Sequence, residues 1–294
     1  MTRELARSYA ECERVARTRA RNFYYSFVVL PREMKAQMCA IYAFLRHSDD
    51  VTDDAAAGDR RARLRAWREA LARAYEGDCA ASPILPAFHD TVTRRCIPKR
   101  LFDELIDGME MDIEQSRYET FDELYRYCYR AASVVGLVCL HVWGFREGSD
   151  ALERAEACGI AFQLTNILRD LREDAERGRV YLPAEDLRRF GYTEEELRRG
   201  EMTDAYRELM RYEIERAETF FERGAKLMPL VDPAGRPSFR IMFTIYRALL
   251  REIRRRGGDV FTRRVSLPGV VKASVVAKEW LVSRLPRSEG PLRV

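Results

Sequence analysis

The chain has 294 residues, of which 47% are hydrophobic and 33% charged, a composition that supports a buried core and a charged surface. Its 51 basic and 47 acidic side chains leave a net charge of +4, which does not suggest a nucleic-acid-binding protein. The seven cysteines include no C-x-x-C pair, which argues against a disulfide framework or a zinc site and favours a reduced, cytoplasmic protein.

Membrane and linker patterns also limit the interpretation. No apolar run approaches the roughly 20 residues of a membrane span, and the polar segment 1–21 lacks the apolar stretch of a secretory signal. Any membrane contact is therefore expected to be peripheral. Nothing in the chain resembles a linker, so one domain over residues 1–294 is predicted rather than two.

Apolar residues recur at three- and four-residue spacing along almost the whole chain, which predicts helices. Pro31 begins the first of these segments, and its apolar stripe runs through Met34, Met38 and Ile41 to an acidic stretch. Strand patterns are almost absent, so the predicted fold is all-α. The later predicted helices cover residues 60–75, 98–115, 121–143, 151–176, 202–228, 239–256 and 268–285.

Two pairs of aspartates have the spacing D-x-x-x-D: Asp49 with Asp53 (the first acidic pair) and Asp170 with Asp174 (the second acidic pair). Residues four apart share one face of a helix, so each pair brings together two carboxylates that need a cation. If the two helices face each other, the four carboxylates suit Mg²⁺, which usually completes its octahedron with phosphate and water. A single such pair near a helix end is also typical of a solvated surface.

The second acidic pair extends a polar stripe on its helix. Asn166 precedes Asp170 by four residues and Gln163 precedes Asn166 by three, while the other faces of this helix are apolar. Polar groups on a buried helix need partners, and a metal ion with a phosphate would supply them. Asn166 is therefore predicted as a metal ligand together with the four aspartates.

Two predicted helices are apolar nearly all round and carry small residues among the large ones. The small residues are Ala131, Ala132, Val135 and Gly136 in one helix and Gly159 in the other. The simplest interpretation is close packing in the core. The alternative is that they leave room for a long apolar ligand, which would explain why glycines costing about 1 kcal/mol each are tolerated in mid-helix.

Several segments resemble those of the squalene/phytoene synthases. The resemblance extends from about Ala16 to Val276, and the segment 159–183 is its most specific part. It implies an all-α isoprenoid synthase fold, a helical bundle around a central apolar cavity, and head-to-head condensation of two identical allylic diphosphates. The matching segments are 22–31 (NFYYSFVVLP), 41–54 (IYAFLRHSDDVTDD), 111–112 (MD), 116–118 (SRY), 124–129 (LYRYCY) and 159–183 (GIAFQLTNILRDLREDAERGRVYLP).

The resemblance also implies roles for charged residues. Mg²⁺, or Mn²⁺ in its place, would be held by both acidic pairs and would neutralise the leaving diphosphate. Arg46 and Arg169 would donate to phosphate oxygens, with Arg264 as a further candidate. By position alone, Arg46 and Arg169 are equally suited to neutralise the neighbouring acids.

The reaction passes through a carbocation that water would quench, so the cavity must be dry. The resemblance places aromatic side chains near the reacting chains, where their faces can stabilise a cation. It places Gln163 and Asn166 near the metal and diphosphate, and Arg179 and Tyr181 where the family closes the site. The aromatic residues are Phe23, Phe27, Tyr42, Tyr127 and Tyr246, of which Tyr127 and Tyr246 are predicted to be catalytic.

Phe27 bears on the length of the substrate. It aligns with a position where C15 enzymes of the family often have Phe and phytoene synthases a smaller residue, and bulk there would shorten the cavity. The sequence therefore predicts two farnesyl diphosphates and a presqualene diphosphate or squalene-type C30 product. The alternative is phytoene from two geranylgeranyl diphosphates. No nucleotide-binding glycine loop is present, so fully reduced squalene would need NADPH bound without that motif, or a separate reductase or desaturase downstream.

Other functions fit less well. A chain-elongating prenyl synthase or a class I terpene cyclase would share the helices and acids but not the Asn-Ile-Leu-Arg-Asp context of residues 166–170. A non-catalytic assembly factor of this fold would lose the acids, and all four are present. An HD-type phosphohydrolase, imagined from His89-Asp90, would need more than the three histidines of this chain.

Overall fold

The computed structural model describes residues 2–20, 24–53 and 60–284, except for the side chains of residues 52, 53, 283 and 284. Helices account for most of these ranges. They are α1 (Arg3–Arg19), α2 (Tyr24–Phe27), α3 (Arg32–Asp53), α4 (Arg60–Tyr75), α5 (Leu85–Arg94), α6 (Lys99–Glu114), α7 (Phe121–Cys128), a π segment (Tyr129–Ser133), α8 (Val134–Trp143), α9 (Ala151–Glu176), α10 (Ala184–Phe190), α11 (Glu194–Arg199), α12 (Asp204–Ala225), α13 (Arg236–Arg255) and α14 (Gly269–Arg284).

Local sequence explains where several helices begin and end. Thr120 and Thr203 accept hydrogen bonds from backbone N–H groups of the first turns of α7 and α12, which would otherwise lack partners. Thr193 and Glu196 form a reciprocal capping box at the start of α11. Gly200 ends α11 in the left-handed conformation that glycine adopts without a steric penalty.

Helix α9 is at the centre of the bundle. It packs against α8, α12, α13 and the π segment, whereas α3 packs against α1, α4, α5 and α8. Both α3 and α9 contribute fully buried residues to one continuous hydrophobic core, for example Phe44 and Ile160. The two helices that carry the acidic pairs therefore belong to a single packed unit.

The segment predicted as one helix over residues 121–143 is interrupted by the π segment. Here the neighbouring helices approach closely at two glycines. A Cβ added at Gly108 would lie 2.9 Å from Cβ of Arg130, and one added at Gly159 would lie 2.3 Å from Cα of Ser133. The π segment therefore packs against α6 and α9 at positions where only glycine fits.

The all-α prediction is confirmed, and every predicted long helix is present. The sequence interpretation did not assign α1, α2, α5, α10 or α11. Between the described residues, β-type pairing is limited to two isolated bridges, one joining Arg117 to Val180 and the other Phe145 to Val231. No helix in the described ranges is both long and apolar enough to cross a bilayer. All seven cysteines are free.

Candidate active site

A central cavity of about 250 Å³ lies between α3, α8, α9 and α13. Most of its wall is apolar, and the smallest side chains come from the π segment, α8 and α9. This cavity is therefore suited to hydrocarbon. It is lined by Phe27, Met38, Ile41, Tyr42, Leu45, Asp49, Leu105, Met109, Ala131, Ala132, Val135, Gly136, Cys139, Trp143, Ala155, Cys158, Gly159, Phe162, Gln163, Asn166, Leu227, Phe239, Met242 and Tyr246.

The polar part of the wall comes from both predicted acidic regions. Asp49 of α3 and the pair Gln163 and Asn166 of α9 line the same cavity. The Asn166 side-chain amide donates a hydrogen bond to the Gln163 side-chain oxygen at 3.3 Å. The structure thus places residues of the two predicted metal-binding helices around one cavity with polar groups at its edge.

The second acidic pair continues α9 beyond Asn166, outside the cavity wall. Asp170 accepts from Nε of Arg169 at 2.8 Å and from Nη2 of Arg264 at 2.8 Å. Arg264 Nε also lies 3.0 Å from Oε1 of Glu173. Two of the three predicted phosphate-binding arginines therefore converge on one carboxylate of the second acidic pair.

Asp174 has the perturbed electrostatics of a carboxylate that needs a cation. Burial and the neighbouring Asp170 charge together raise the pKa of its carboxyl to about 6, although Arg179 and Arg177 act in the opposite direction. A half-buried acid beside a like charge is a favourable oxygen donor for a divalent ion. The residues of the second acidic pair therefore fit the metal that the sequence predicts.

The first acidic pair is described only in part. Asp49 is exposed and lines the cavity, whereas the side chain of Asp53 lies outside the described residues. Arg46 pairs with Asp50, and Arg19 lies 3.4 Å from the same carboxylate. Among the described side chains, no three His, Cys, Asp or Glu residues converge as a metal site. The predicted four-carboxylate arrangement includes Asp53 and is not tested by these contacts.

Aromatic rings surround the cavity near its polar end. Phe27 packs edge to face on Tyr42, with ring centroids 6.5 Å apart, and Tyr246 stacks on Phe162 at 4.4 Å. Burial raises the pKa of the Tyr246 phenol, and Arg169 and Asn166 partly offset this effect. Phe27, Tyr42 and Tyr246 thus line the cavity, whereas Phe23 lies outside the described residues.

Three other predicted residues do not line the cavity. Tyr127, Arg179 and Tyr181 instead meet at Asp112, near the end of α6. Tyr127 and Ala131 are four residues apart and would share a face of a regular helix, but the π segment that begins at Tyr129 changes the direction of the side chains that follow it. Tyr127 thus lies outside the wall of the cavity, and its position beside the reacting chains stays a prediction.

The small residues of the cavity wall serve two different purposes, ligand space and helix packing. Ala131, Ala132, Val135, Gly136 and Gly159 all line the cavity, as the ligand interpretation requires. A Cβ on Gly136 would make only an ordinary contact, 3.6 Å from the Ala155 carbonyl oxygen, whereas one on Gly159 would collide with Ser133. Gly136 therefore leaves space in the cavity, but Gly159 is required by the contact between α9 and the π segment.

The sequence predicts no function for Asp112 or Tyr118. Both residues lie in segments that resemble the family, but their spacing does not indicate what those segments do. Tyr118 is almost fully buried, and its ring stacks on Tyr181 with centroids 5.8 Å apart. These two residues complete a cluster described below.

Comparison with known proteins agrees with this architecture. The chain is 39% identical to phytoene synthase of Mycobacterium tuberculosis over 93% of this chain and 91% of the relative. It is 34% identical to 15-cis-phytoene synthase of Synechococcus elongatus over 90% of this chain and 89% of the relative. Both of these sequence relatives are named phytoene synthases.

Solved structures show the same fold. A squalene synthase from Alicyclobacillus acidocaldarius superposes with a TM-score of 0.84 at 31% identity, over 89% of this chain and 98% of that chain. A ligand-bound dehydrosqualene synthase has a TM-score of 0.85 at 28% identity, over 95% and 97% of the two chains. The family model for squalene/phytoene synthases matches residues 16–270. The chain therefore belongs to the squalene/phytoene synthase family of all-α prenyltransferases.

Proposed function

We propose that this protein condenses two identical allylic prenyl diphosphates head to head and releases diphosphate. The observation that carries the proposal is the central cavity, whose apolar wall ends at Asp49, Gln163 and Asn166. The second acidic pair follows one and two helical turns beyond Asn166 on α9. An apolar chamber with carboxylates at its polar edge suits a substrate that has a hydrocarbon tail and a diphosphate head.

Both acidic pairs, with Asn166, would hold Mg²⁺. The raised pKa of Asp174 supports this assignment, because that carboxylate lies beside Asp170 in a partly buried setting. When bound, the ion would supply Lewis-acid stabilisation of the leaving diphosphate. Arg169 and Arg264 already lie at Asp170 and would donate to phosphate oxygens as the substrate binds.

The cavity wall would protect the carbocation from water. Its side chains are mainly aliphatic and aromatic, and few of its polar groups could hold a water molecule against the reacting carbons. The faces of Tyr42, Phe27 and the stacked pair Tyr246 and Phe162 would stabilise positive charge within the chamber. This environment favours attack by the alkene of the second substrate over attack by water.

Two substrate lengths have specific support. The phytoene synthase names of the sequence relatives, which match nearly the whole chain, make geranylgeranyl diphosphate the first candidate. Phe27 supports farnesyl diphosphate as the second candidate, because its ring is 98% buried and forms part of the cavity wall. Phytoene forms with loss of the diphosphate groups and of protons and needs no reductant, whereas fully reduced squalene needs a hydride from NADPH or from a separate reductase.

Release of an apolar product favours peripheral contact with a bilayer. Helix α14 exposes Val270 to 81% and Leu281 to 58%, and it also carries Lys272 and Lys278. Exposed apolar side chains with nearby lysines suit the interface of an anionic membrane. A lipid surface of this kind is therefore the proposed site of product release, and a desaturase or reductase would act on the product there.

The decisive experiment is incubation of the purified protein with Mg²⁺ and either farnesyl or geranylgeranyl diphosphate, with and without NADPH, followed by identification of the lipid. Phytoene from the C20 substrate is the expected result. Presqualene diphosphate or squalene from the C15 substrate would establish the second candidate. Turnover of neither substrate would contradict the enzymatic proposal and favour the non-catalytic alternative.

A further inference from the structure

Beside the central cavity, four residues form a compact cluster, which we call the tyrosine cluster: Asp112, Tyr118, Tyr127 and Tyr181. They come from α6, from the loop after it, from α7 and from the segment after α9. The rings of Tyr127 and Tyr181 stack with centroids 5.1 Å apart, and the ring of Tyr118 lies 5.4 Å from that of Tyr127. The segment after α9 therefore meets α6, α7 and the loop between them in this cluster, although it is distant from them in sequence.

Asp112 binds groups from two of these segments. Its Oδ1 accepts from the Tyr181 hydroxyl at 3.0 Å, and its Oδ2 accepts from the Tyr127 hydroxyl at 3.2 Å. Its main-chain oxygen accepts from Nη2 of Arg179 at 3.2 Å. One residue thus orients two phenols and a guanidinium.

Arg179 links this cluster to the second acidic pair. Its backbone N–H donates to the Asp174 carbonyl oxygen at 2.8 Å, and its charge lowers the pKa of the Asp174 carboxyl. The cation is therefore close both to Asp112 and to the carboxylate predicted to hold metal and diphosphate. Burial raises the pKa of Tyr181 to about 12 and that of Tyr127 well above its usual range, so both remain O–H donors at neutral pH.

The backbone of the segment that carries Arg179 and Tyr181 is held independently of the Asp112 side chain. Val180 N–H donates to the Ser116 carbonyl oxygen at 3.0 Å, and Arg117 Nη1 donates to the Gly178 carbonyl oxygen at 2.7 Å. Loss of the Asp112 carboxylate would therefore release side chains rather than unfold the segment. Because the backbone does not depend on the Asp112 carboxylate, the role of that carboxylate can be tested by substitution.

We propose that Asp112 is a positioning residue for the diphosphate end of the site. Its carboxylate fixes the Tyr127 and Tyr181 hydroxyls, and the Tyr181 hydroxyl in turn contacts the Arg179 guanidinium. This chain of contacts keeps Arg179 directed at an anion held by the second acidic pair. Asp112 itself does not touch the substrate. The inference rests on the proposed function, since it requires a diphosphate to be bound there. Side chains that orient the groups in direct contact with a ligand typically contribute about 10- to 100-fold to activity or affinity.

The test compares Asp112→Asn with Asp107→Asn, a matched control on the same helix whose half-buried carboxylate pairs with Arg68 at 2.6 Å. Inhibition of turnover by inorganic pyrophosphate with Mg²⁺ is measured together with kcat, KM and Tm. We expect Asp112→Asn to lower kcat and to weaken pyrophosphate inhibition by about 10-fold or more. The control should keep both values close to those of the wild type.

Tyr181→Phe serves as a second variant, because it removes one hydrogen bond to Asp112 and retains the ring packing. It should show a smaller loss than Asp112→Asn, and the combined variant should lose less than the sum of the two in free energy, because both changes break the same contact. If the wild type is active but Asp112→Asn matches the control in kcat and pyrophosphate inhibition, or changes Tm alone, the positioning role is wrong. If the wild type turns over no prenyl diphosphate, the proposed function fails instead.

Discussion

Nη2 of Arg264 lies 2.8 Å from Oδ1 of Asp170, across 94 residues of sequence. This ion pair ties the chain segment after α13 to the helix that carries the second acidic pair. Arg264 is about half exposed, so the pair itself contributes little to stability. Its importance is that a carboxylate and a cation are already together where metal and diphosphate are proposed to bind.

Asp170→Asn tests the metal assignment. The change removes one anionic ligand and should lower kcat by about 10²- to 10³-fold, as expected when several kcal/mol of metal stabilisation in the transition state are lost. It should also raise the Mg²⁺ concentration needed for half-maximal activity. Steady-state kinetics at varied Mg²⁺ would measure both effects. The exposed Glu176→Gln on the same helix is the control, and full activity of Asp170→Asn would refute the assignment.

Phe27→Ala tests the wall that limits chain length. Removal of the ring should favour the longer substrate, raising the ratio of kcat/KM for geranylgeranyl over farnesyl diphosphate by about 10- to 100-fold, since a pocket wall discriminates by roughly 1–3 kcal/mol. Competition between the two substrates would measure this ratio. Tyr25→Ala changes an exposed ring on the same short helix and should leave the ratio unchanged. An unaltered ratio for Phe27→Ala would remove Phe27 as a determinant of chain length.

Gly159→Ala and Gly136→Ala test whether the first glycine is needed for helix packing and the second for space in the cavity. The alanine at 159 would collide with Ser133 and should destabilise the protein by about 1–3 kcal/mol, whereas the one at 136 has room and gains up to about 1 kcal/mol of helix propensity. Because Gly136 lines the cavity, its substitution should lower activity without lowering Tm. Calorimetry and product assays measure the two effects. Equal losses of Tm in the two variants would contradict this difference between Gly159 and Gly136.

The buried triad of Glu213, Arg216 and Asp186 predicts a dependence of stability on pH. Arg216 Nη1 lies 2.9 Å from Glu213 and 2.8 Å from Asp186, and burial raises the pKa of Glu213 to about 8. A carboxyl with a higher pKa in the folded than in the unfolded state stabilises the fold below about pH 4.5 and loses that contribution as pH rises towards 8.

Glu213→Gln removes this titration and should therefore lessen the fall in Tm between about pH 5 and 8. Thermal unfolding across this range measures the difference from the wild type. The exposed Glu215→Gln on the same helix should follow the wild type. A constant difference in Tm between Glu213→Gln and the wild type at every pH would show that Glu213 does not titrate in the folded protein.

Val270→Ser combined with Leu281→Ser tests membrane contact. Both side chains are exposed, so Tm should not change, but binding to vesicles that contain phosphatidylglycerol should fall by about 10-fold or more, given roughly 0.8 kcal/mol per CH₂ removed from lipid. Co-sedimentation with vesicles measures binding, and pure phosphatidylcholine vesicles test the contribution of charge. Leu152→Ser, exposed at the start of α9, is the control. If the double variant and the wild type bind these vesicles equally well, α14 does not dock on lipid.

The sequence predicted the long helices because their apolar stripes are regular, and it predicted the polar edge of the cavity because Gln163 and Asn166 lie on an otherwise apolar helix. It did not predict α1, whose fully buried residues are the small side chains Ser8, Cys12 and Ala16 rather than a stripe of large apolar ones. The π segment could not be predicted either, because no residue pattern in the sequence specified its hydrogen bonding.

The π segment also makes this part of the chain sensitive to its length. A π turn accommodates one more residue than an α turn, so deletion of a single residue between Tyr129 and Ser133 would restore a regular helix and leave the direction of α8 nearly unchanged. The deletion would remove the wide turn that brings Ser133 against Gly159 and Arg130 against Gly108. The number of residues in this segment therefore matters for the contacts of the π turn itself rather than for the orientation of the helix that follows it.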